Sequence, residues 1–117
     1  MGLLSYLFAE KPAAPVPKDI CYYVEGFLSC HYLHEAMQLA ERLDTTSSRS
    51  NIQVEITAHT RQEWKDRIQE LTKSIPGAQD HRTSPVVWEG CPGKPIRFIG
   101  GYDNFRQHAE QKHNIKV

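Results

Sequence analysis

The sequence has no surplus of either charge: 14 Lys and Arg stand against 14 Asp and Glu. A protein that holds nucleic acid by its phosphates needs a basic excess, so no nucleic-acid partner is expected. No apolar run approaches the roughly 20 residues that cross a bilayer, so no membrane span is expected either. Cysteine is scarce. Cys21, Cys30 and Cys91 are odd in number and too few for a disulfide framework. With no secretory signal ahead of them, a reducing, cytoplasmic setting is the default. No G-x-G-x-x-G occurs, which removes the dinucleotide-binding fingerprint. Internal repeats and long low-complexity segments are absent as well. The opening Met1-Gly2-Leu3-Leu4-Ser5-Tyr6 carries Tyr6 where an acylation signal needs Ser or Thr, so lipidation is not expected.

What is present suits one globular domain: 117 residues, 39% hydrophobic and 24% charged. Residues 1–18 read differently from the rest. Leu3, Leu4, Leu7 and Phe8 mark an apolar hexamer, and the Pro-rich stretch from Lys11 to Pro17 follows as a stiff linker. This segment is expected to be a docking arm, and residues 19–117 the domain. Ile20 to Val24 is β-branched and aromatic, a buried strand. From about Cys30 to Leu43, Leu33, Ala36, Met37, Ala40 and Leu43 form one helical stripe, with Ser29 as its cap. Ile52, Val54 and Ile56 alternate as a second strand. Thr60 and Glu63 form a capping box ahead of a helix that carries Trp64, Ile68 and Leu71. Ser84 to Trp88 is the third strand, and the Gly/Pro turn around Cys91 returns through Ile96 to Ile99. Gly100-Gly101 breaks that strand, and Asp103 is placed to cap a final helix. The order is β-α-β-α-β-β-α. The crossovers favour parallel pairing among the first three strands, with a terminal antiparallel hairpin. The sequence thus predicts a four-stranded mixed sheet flanked by helices. Cys21 reads as a buried strand residue, and Cys91 as a turn thiol far along the chain from the others.

This order, with Cys30 at the start of the first helix and Pro85 at the entrance to the third strand, resembles the glutaredoxin type of thioredoxin-like fold. Cys30-His31-Tyr32-Leu33 stands where the family has Cys-Pro-Tyr-Cys. Thr83-Ser84-Pro85 stands where it has Thr-Val-Pro with a cis proline, and Gly100-Gly101-Tyr102-Asp103 matches its glycine pair and acidic residue. Trp64, Ser84-Pro85-Val86-Val87-Trp88 and Gly100-Gly101-Tyr102-Asp103-Asn104-Phe105 are also similar to the N-terminal thioredoxin-like domain of the malate dehydrogenase 1B paralogues. The dehydrogenase part has no counterpart here, so malate chemistry is not implied.

The resemblance implies a thiol at Cys30 and a glutathione-groove remnant made of Ser84, Pro85, Gly100, Gly101 and Asp103. A helix N-terminus favours a thiolate, the species that attacks disulfides. Leu33 replaces the resolving cysteine, however, and Phe27 stands where the family places a Lys three residues before the nucleophile. Glu25 adds a negative charge nearby if it points inward. Tyr102 replaces a small residue beside the groove. Cys30, His31 and His34 offer three potential metal ligands where a structural zinc site takes four, so no metal is expected. The expected role is therefore a non-catalytic interaction subunit without a cofactor, binding protein partners in a larger assembly. Through its paralogue likeness, the resemblance implies an axonemal, doublet-microtubule component of a cilium or flagellum. The alternative is a glutathione-dependent monothiol oxidoreductase using Cys30.

Overall fold

The computed structural model describes residues 19–46 and 52–116. The arm residues Leu3, Leu4, Leu7 and Phe8 lie outside the described residues. The elements in chain order are β1 (Ile20–Phe27), α1 (His31–Thr46), β2 (Ile52–His59), α2 (Arg61–Ser74), β3 (Val86–Glu89), β4 (Arg97–Gly100) and α3 (Tyr102–His113). The chain is thus α/β, with a four-stranded mixed sheet and three helices among the described residues.

Two helix starts differ from the sequence reading. The Cys30 carbonyl accepts from the His34 N–H at 3.3 Å, so Cys30 itself occupies the cap of α1 and Ser29 lies one residue outside. At α3 the cap is Gly101, with no side-chain hydrogen bond, and Asp103 falls in the first turn. There its charge complements the helix dipole without capping it. The α2 capping box forms as the residues suggest. Glu63 N–H donates to Thr60 Oγ1 at 3.1 Å, and Thr60 N–H donates to Glu63 Oε1 at 3.0 Å.

The sheet order is β2-β1-β3-β4. β2 runs parallel to β1, from Ile20 beside Ile52 to Phe27 beside His59. The expectation that β3 would also be parallel is wrong: it pairs antiparallel with β1, Glu25 opposite Val86 and Tyr22 opposite Glu89. The physical reason is the connection. α2 stops at Ser74, and residues 75–85 carry the chain back along the sheet before β3 begins. β3 therefore enters beside the C-terminal end of β1. β4 returns antiparallel to β3 with a bulge between Val87 and Trp88.

Side chains of β1 alternate between two cores. Tyr22 and Val24 pack with Leu33, Leu39 and Leu43 of α1 and with Phe105 and Ala109 of α3. On the other face, Trp64 and Leu71 of α2 pack with Val86 and Trp88, and Tyr23 stacks on Trp88 at 5.3 Å. Glu25 belongs to this second face, and it is only 7% exposed. Arg67 grips its carboxylate with two bonds, Nε to Oε1 at 2.9 Å and Nη2 to Oε2 at 3.0 Å, and His59 Nε2 lies 2.8 Å from Oε1. Burial alone would raise the Glu25 carboxyl. The bonds and charges of Arg67 and His59 reverse that and hold it below its ordinary value. Arg67→Ala, which leaves the carboxylate buried with only His59, is expected to cost about 3 kcal/mol in urea unfolding at neutral pH. Because the folded carboxyl is depressed, its contribution is complete above the unfolded value of 4.5 and is lost as pH falls below it. Glu25→Gln should remove that part of the acid sensitivity.

The same antiparallel register corrects the reading of the cysteines. Gly90 N–H donates to the Cys21 carbonyl at 2.9 Å, so the next residue, Cys91, lies beside Cys21. The two form a disulfide with a Cα–Cα distance of 4.9 Å across a sequence separation of 70. Neither is a free thiol in the structure. Closing a loop of that length constrains the unfolded chain, so Cys21→Ala/Cys91→Ala should lower unfolding free energy by about 2–4 kcal/mol in denaturant titration.

Candidate functional site

The site is built at the C-terminal end of β1. After Phe27 the chain turns tightly: Leu28 N–H donates to the His59 carbonyl at 2.8 Å, and Cys30 N–H donates to the Phe27 carbonyl at 3.0 Å. The His34 ring nitrogen Nε2 lies 2.7 Å from the Leu28 carbonyl and pins the turn from the first helical turn of α1. His31 pairs instead with Glu35, one turn on, at 3.5 Å. The two histidines thus hold local structure and do not converge with Cys30. Among the described residues no group of three His, Cys, Asp or Glu is arranged to hold a metal ion.

Cys30 is 8% exposed, its side chain packed in the core with Leu33 and Ala36. Its Sγ–H donates to the Ser84 carbonyl at 3.6 Å, a contact that only the protonated thiol makes. Ser84 Oγ in turn accepts from the Phe27 N–H at 3.3 Å. The Ser84–Pro85 peptide bond is cis, and the buried Pro85 presents its carbonyl to His81 Nε2 at 3.1 Å. Gly26 makes this approach feasible, because a Cβ there would run into Ser84 Oγ and lie 3.0 Å from a Leu33 methyl. Gly100, with φ of 134°, turns the chain out of β4 into the Gly101 cap, a conformation that glycine adopts without strain.

Beside the thiol lies a cleft of about 320 Å³, lined by Tyr32, His81, Thr83, Ser84, Gly101 and Tyr102, with Asp103 and Asn104 at its edge. Of the residues singled out from sequence, Ser84, Gly101 and Asp103 line it together. Pro85 and Gly100 adjoin the lining residues Ser84 and Gly101 in the chain, and neither they nor Cys30 line it. Tyr32 is 57% exposed and stacks against Tyr102, with ring centroids 6.4 Å apart. Burial, followed by the charge of Glu35, raises the Tyr102 hydroxyl above its ordinary value, so it stays a neutral donor at physiological pH. A larger cleft of about 460 Å³, between α2 and residues 79–82, contains no cysteine and none of the site residues expected from sequence.

The charged neighbours of the site differ from the sequence expectation. Glu25 does not act on Cys30, because its carboxylate faces the α2 side and is held by Arg67. Arg61 lays its guanidinium over the Phe27 ring, 4.9 Å from the centroid, and places a cation beside the end of β1. Its place at the first position of α2 carried no sequence signal for this role. His81 and Thr83 also enter the cleft, and only their position just ahead of Ser84-Pro85 hinted at it.

No protein-family model matches the chain, and no curated protein matches it. Among the described residues, no helix is long and apolar enough to cross a membrane.

The arrangement provides a shaped cleft with polar edges and a buried thiol bonded to one of its lining residues. Gly26→Ala should push Ser84 off Phe27, lower thermal stability by about 1–3 kcal/mol, and speed Cys30 alkylation by iodoacetamide.

Proposed function

We propose that this chain is a thioredoxin-like domain of the glutaredoxin type that serves as a non-catalytic interaction subunit of a larger assembly. One observation carries the reading: Cys30 has no second thiol to work with. Its sulfur is buried against the Ser84 carbonyl, Leu33 fills the resolving position within the core, and the remaining two cysteines are bonded to each other near the start of β1. Dithiol exchange at the Cys30 motif needs a resolving thiolate within reach.

The exposed rim of the site supports binding in place of turnover. Leu28 is 54% exposed and Tyr32 57%, an aliphatic and an aromatic group flanking the α1 start. Tyrosine is among the side chains that anchor protein contacts, and Leu28 extends the apolar surface beside it. The arm residues Leu3, Leu4, Leu7 and Phe8 would add a second docking element. The likeness to the malate dehydrogenase 1B paralogue makes a ciliary doublet microtubule the assembly of choice.

A second reading, monothiol exchange with glutathione, is favoured by the cleft itself, since Ser84, Gly101 and Asp103 line one surface. One comparison separates the two. Purified protein and its Cys30→Ser variant are assayed for glutathione-dependent reduction of a small mixed disulfide, and for co-sedimentation with axonemal doublets. The interaction reading expects no Cys30-dependent turnover, co-sedimentation unchanged by Cys30→Ser, and roughly tenfold weaker binding for Leu28→Asp/Tyr32→Asp. Turnover that vanishes with Cys30→Ser would replace it with the enzymatic one.

A further inference from the structure

At the edge of the α1/α3 core, away from Cys30, polar side chains converge on one phenol. Tyr22 is fully buried. Its Oη lies 2.9 Å from His108 Nε2 and 2.7 Å from His113 Nε2, and both imidazoles meet the phenol ring edge-on. A phenol has one proton to give, so it donates to one imidazole and must accept from the other. The two rings therefore hold opposite roles. Glu89 decides which is which. Its Oε1 is shut off from solvent with no hydrogen-bond partner, and it stands 3.7 Å from His108 Nε2. A carboxylate there favours a proton on that nitrogen. By hydrogen-bond counting, His108 Nε2–H faces Glu89 and donates to Tyr22 Oη, and the Tyr22 hydroxyl donates to an unprotonated His113 Nε2.

His113 is the last residue of α3, and residues 114–116 beyond it are docked on the domain. Asn114 takes a left-handed cap conformation, and its N–H donates to the Glu110 carbonyl at 3.1 Å. Ile115 is buried in the core, with its N–H on the Ala109 carbonyl at 3.3 Å. Arg42 of α1 donates to the Lys116 carbonyl at 2.8 Å.

We propose that Tyr22 and His113 form a proton-operated latch that holds residues 113–116 on the domain and releases them in mild acid. A proton on His113 Nε2 turns the acceptor into a donor. Tyr22 Oη then faces two donors. It keeps an acceptor only if His108 moves its proton to Nδ1 and gives up the one facing Glu89. Either the phenol proton or the buried Glu89 carboxylate is thus left unmatched, a costly arrangement for buried groups. The new charge also sits beside Lys112 on α3. The other charges bearing on the two rings are Glu89 from β3 and Arg97 from β4; Glu89 attracts the new proton, while Lys112 repels it. Burial outweighs Glu89 and holds both imidazoles below their ordinary value of 6.5, so the neutral, latched form prevails at neutral pH. Since the folded values are depressed, the unfolded or released form binds more protons, and stability drops as pH falls through about 6.5.

The test is native-state amide exchange on the whole chain at about pH 7.5 and about pH 5.5, corrected for intrinsic rates. The Asn114 and Ile115 amides should lose protection roughly tenfold or more in acid, while those of Val24 and Val87 keep theirs. His113→Gln, whose side-chain oxygen accepts from Tyr22 at either pH, should abolish the acid loss. Tyr22→Phe should lower protection of the same two amides already at the higher pH. Equal acid loss in wild type and His113→Gln overturns the latch, as does a loss spread evenly over β1 and β3.

Discussion

Glu25 to Tyr22 pair with Val86 to Glu89 in one antiparallel register, and most of the chemistry of this domain depends on that ladder. It brings the start of β3 to the end of β1, where Ser84 meets the Cys30 thiol and cis Pro85 follows it. It also brings the end of β3 to the start of β1, where Cys91 meets Cys21. One residue further in, it sets Glu89 opposite Tyr22, within reach of His108. A parallel β3 would place Ser84 and Cys91 at each other's positions and dismantle all three arrangements. Backbone pairing of this kind tolerates no one-residue slip, because a slip would turn Glu25 and Tyr22 onto the wrong faces.

The two faces of β1 handle buried polarity differently. On the α2 face a full charge, Glu25, is kept inside by a bidentate guanidinium and an imidazole, so its lone pairs are matched. On the α1/α3 face a neutral phenol is shared between two imidazoles, and a carboxylate oxygen of Glu89 is left without a hydrogen bond. The first arrangement is locked over the physiological pH range by an arginine that does not titrate there. The second depends on histidines that burial holds below their ordinary value, so they stay neutral at neutral pH and take up protons in acid. The domain therefore has one rigid polar anchor and one that responds to acid, on opposite sides of a shared strand.

At the Cys30 end, geometry separates shape from reactivity. Gly26, Pro85 and Gly100 allow close backbone approach and produce the cleft, while the sulfur is directed inward to a carbonyl. Arg61 brings a cation to Phe27 from another element, stacked on the ring. Tyr32 and Tyr102 then cover one side of the opening with a stacked aromatic pair. Leu28 and Tyr32 are left exposed beside this polar-edged opening.

Local periodicity and capping chemistry are written residue by residue, so the order β-α-β-α-β-β-α, the α2 capping box and the buried stripe of α1 were legible in the sequence. Ser84, Gly101 and Asp103 could likewise be picked out as neighbours of one groove, by resemblance to a family in which those positions line one. The direction of β3 was not legible, because it depends on how residues 75–85 travel across the sheet, and no short-range propensity encodes that path. Everything built on that direction was therefore decided by tertiary structure alone: the Cys21–Cys91 bond, the Ser84 carbonyl on the Cys30 thiol, and the approach of Glu89 to His108 beside Tyr22. Residues this far apart in sequence meet only when strand direction and register have been chosen. Sequence spacing by itself carries neither.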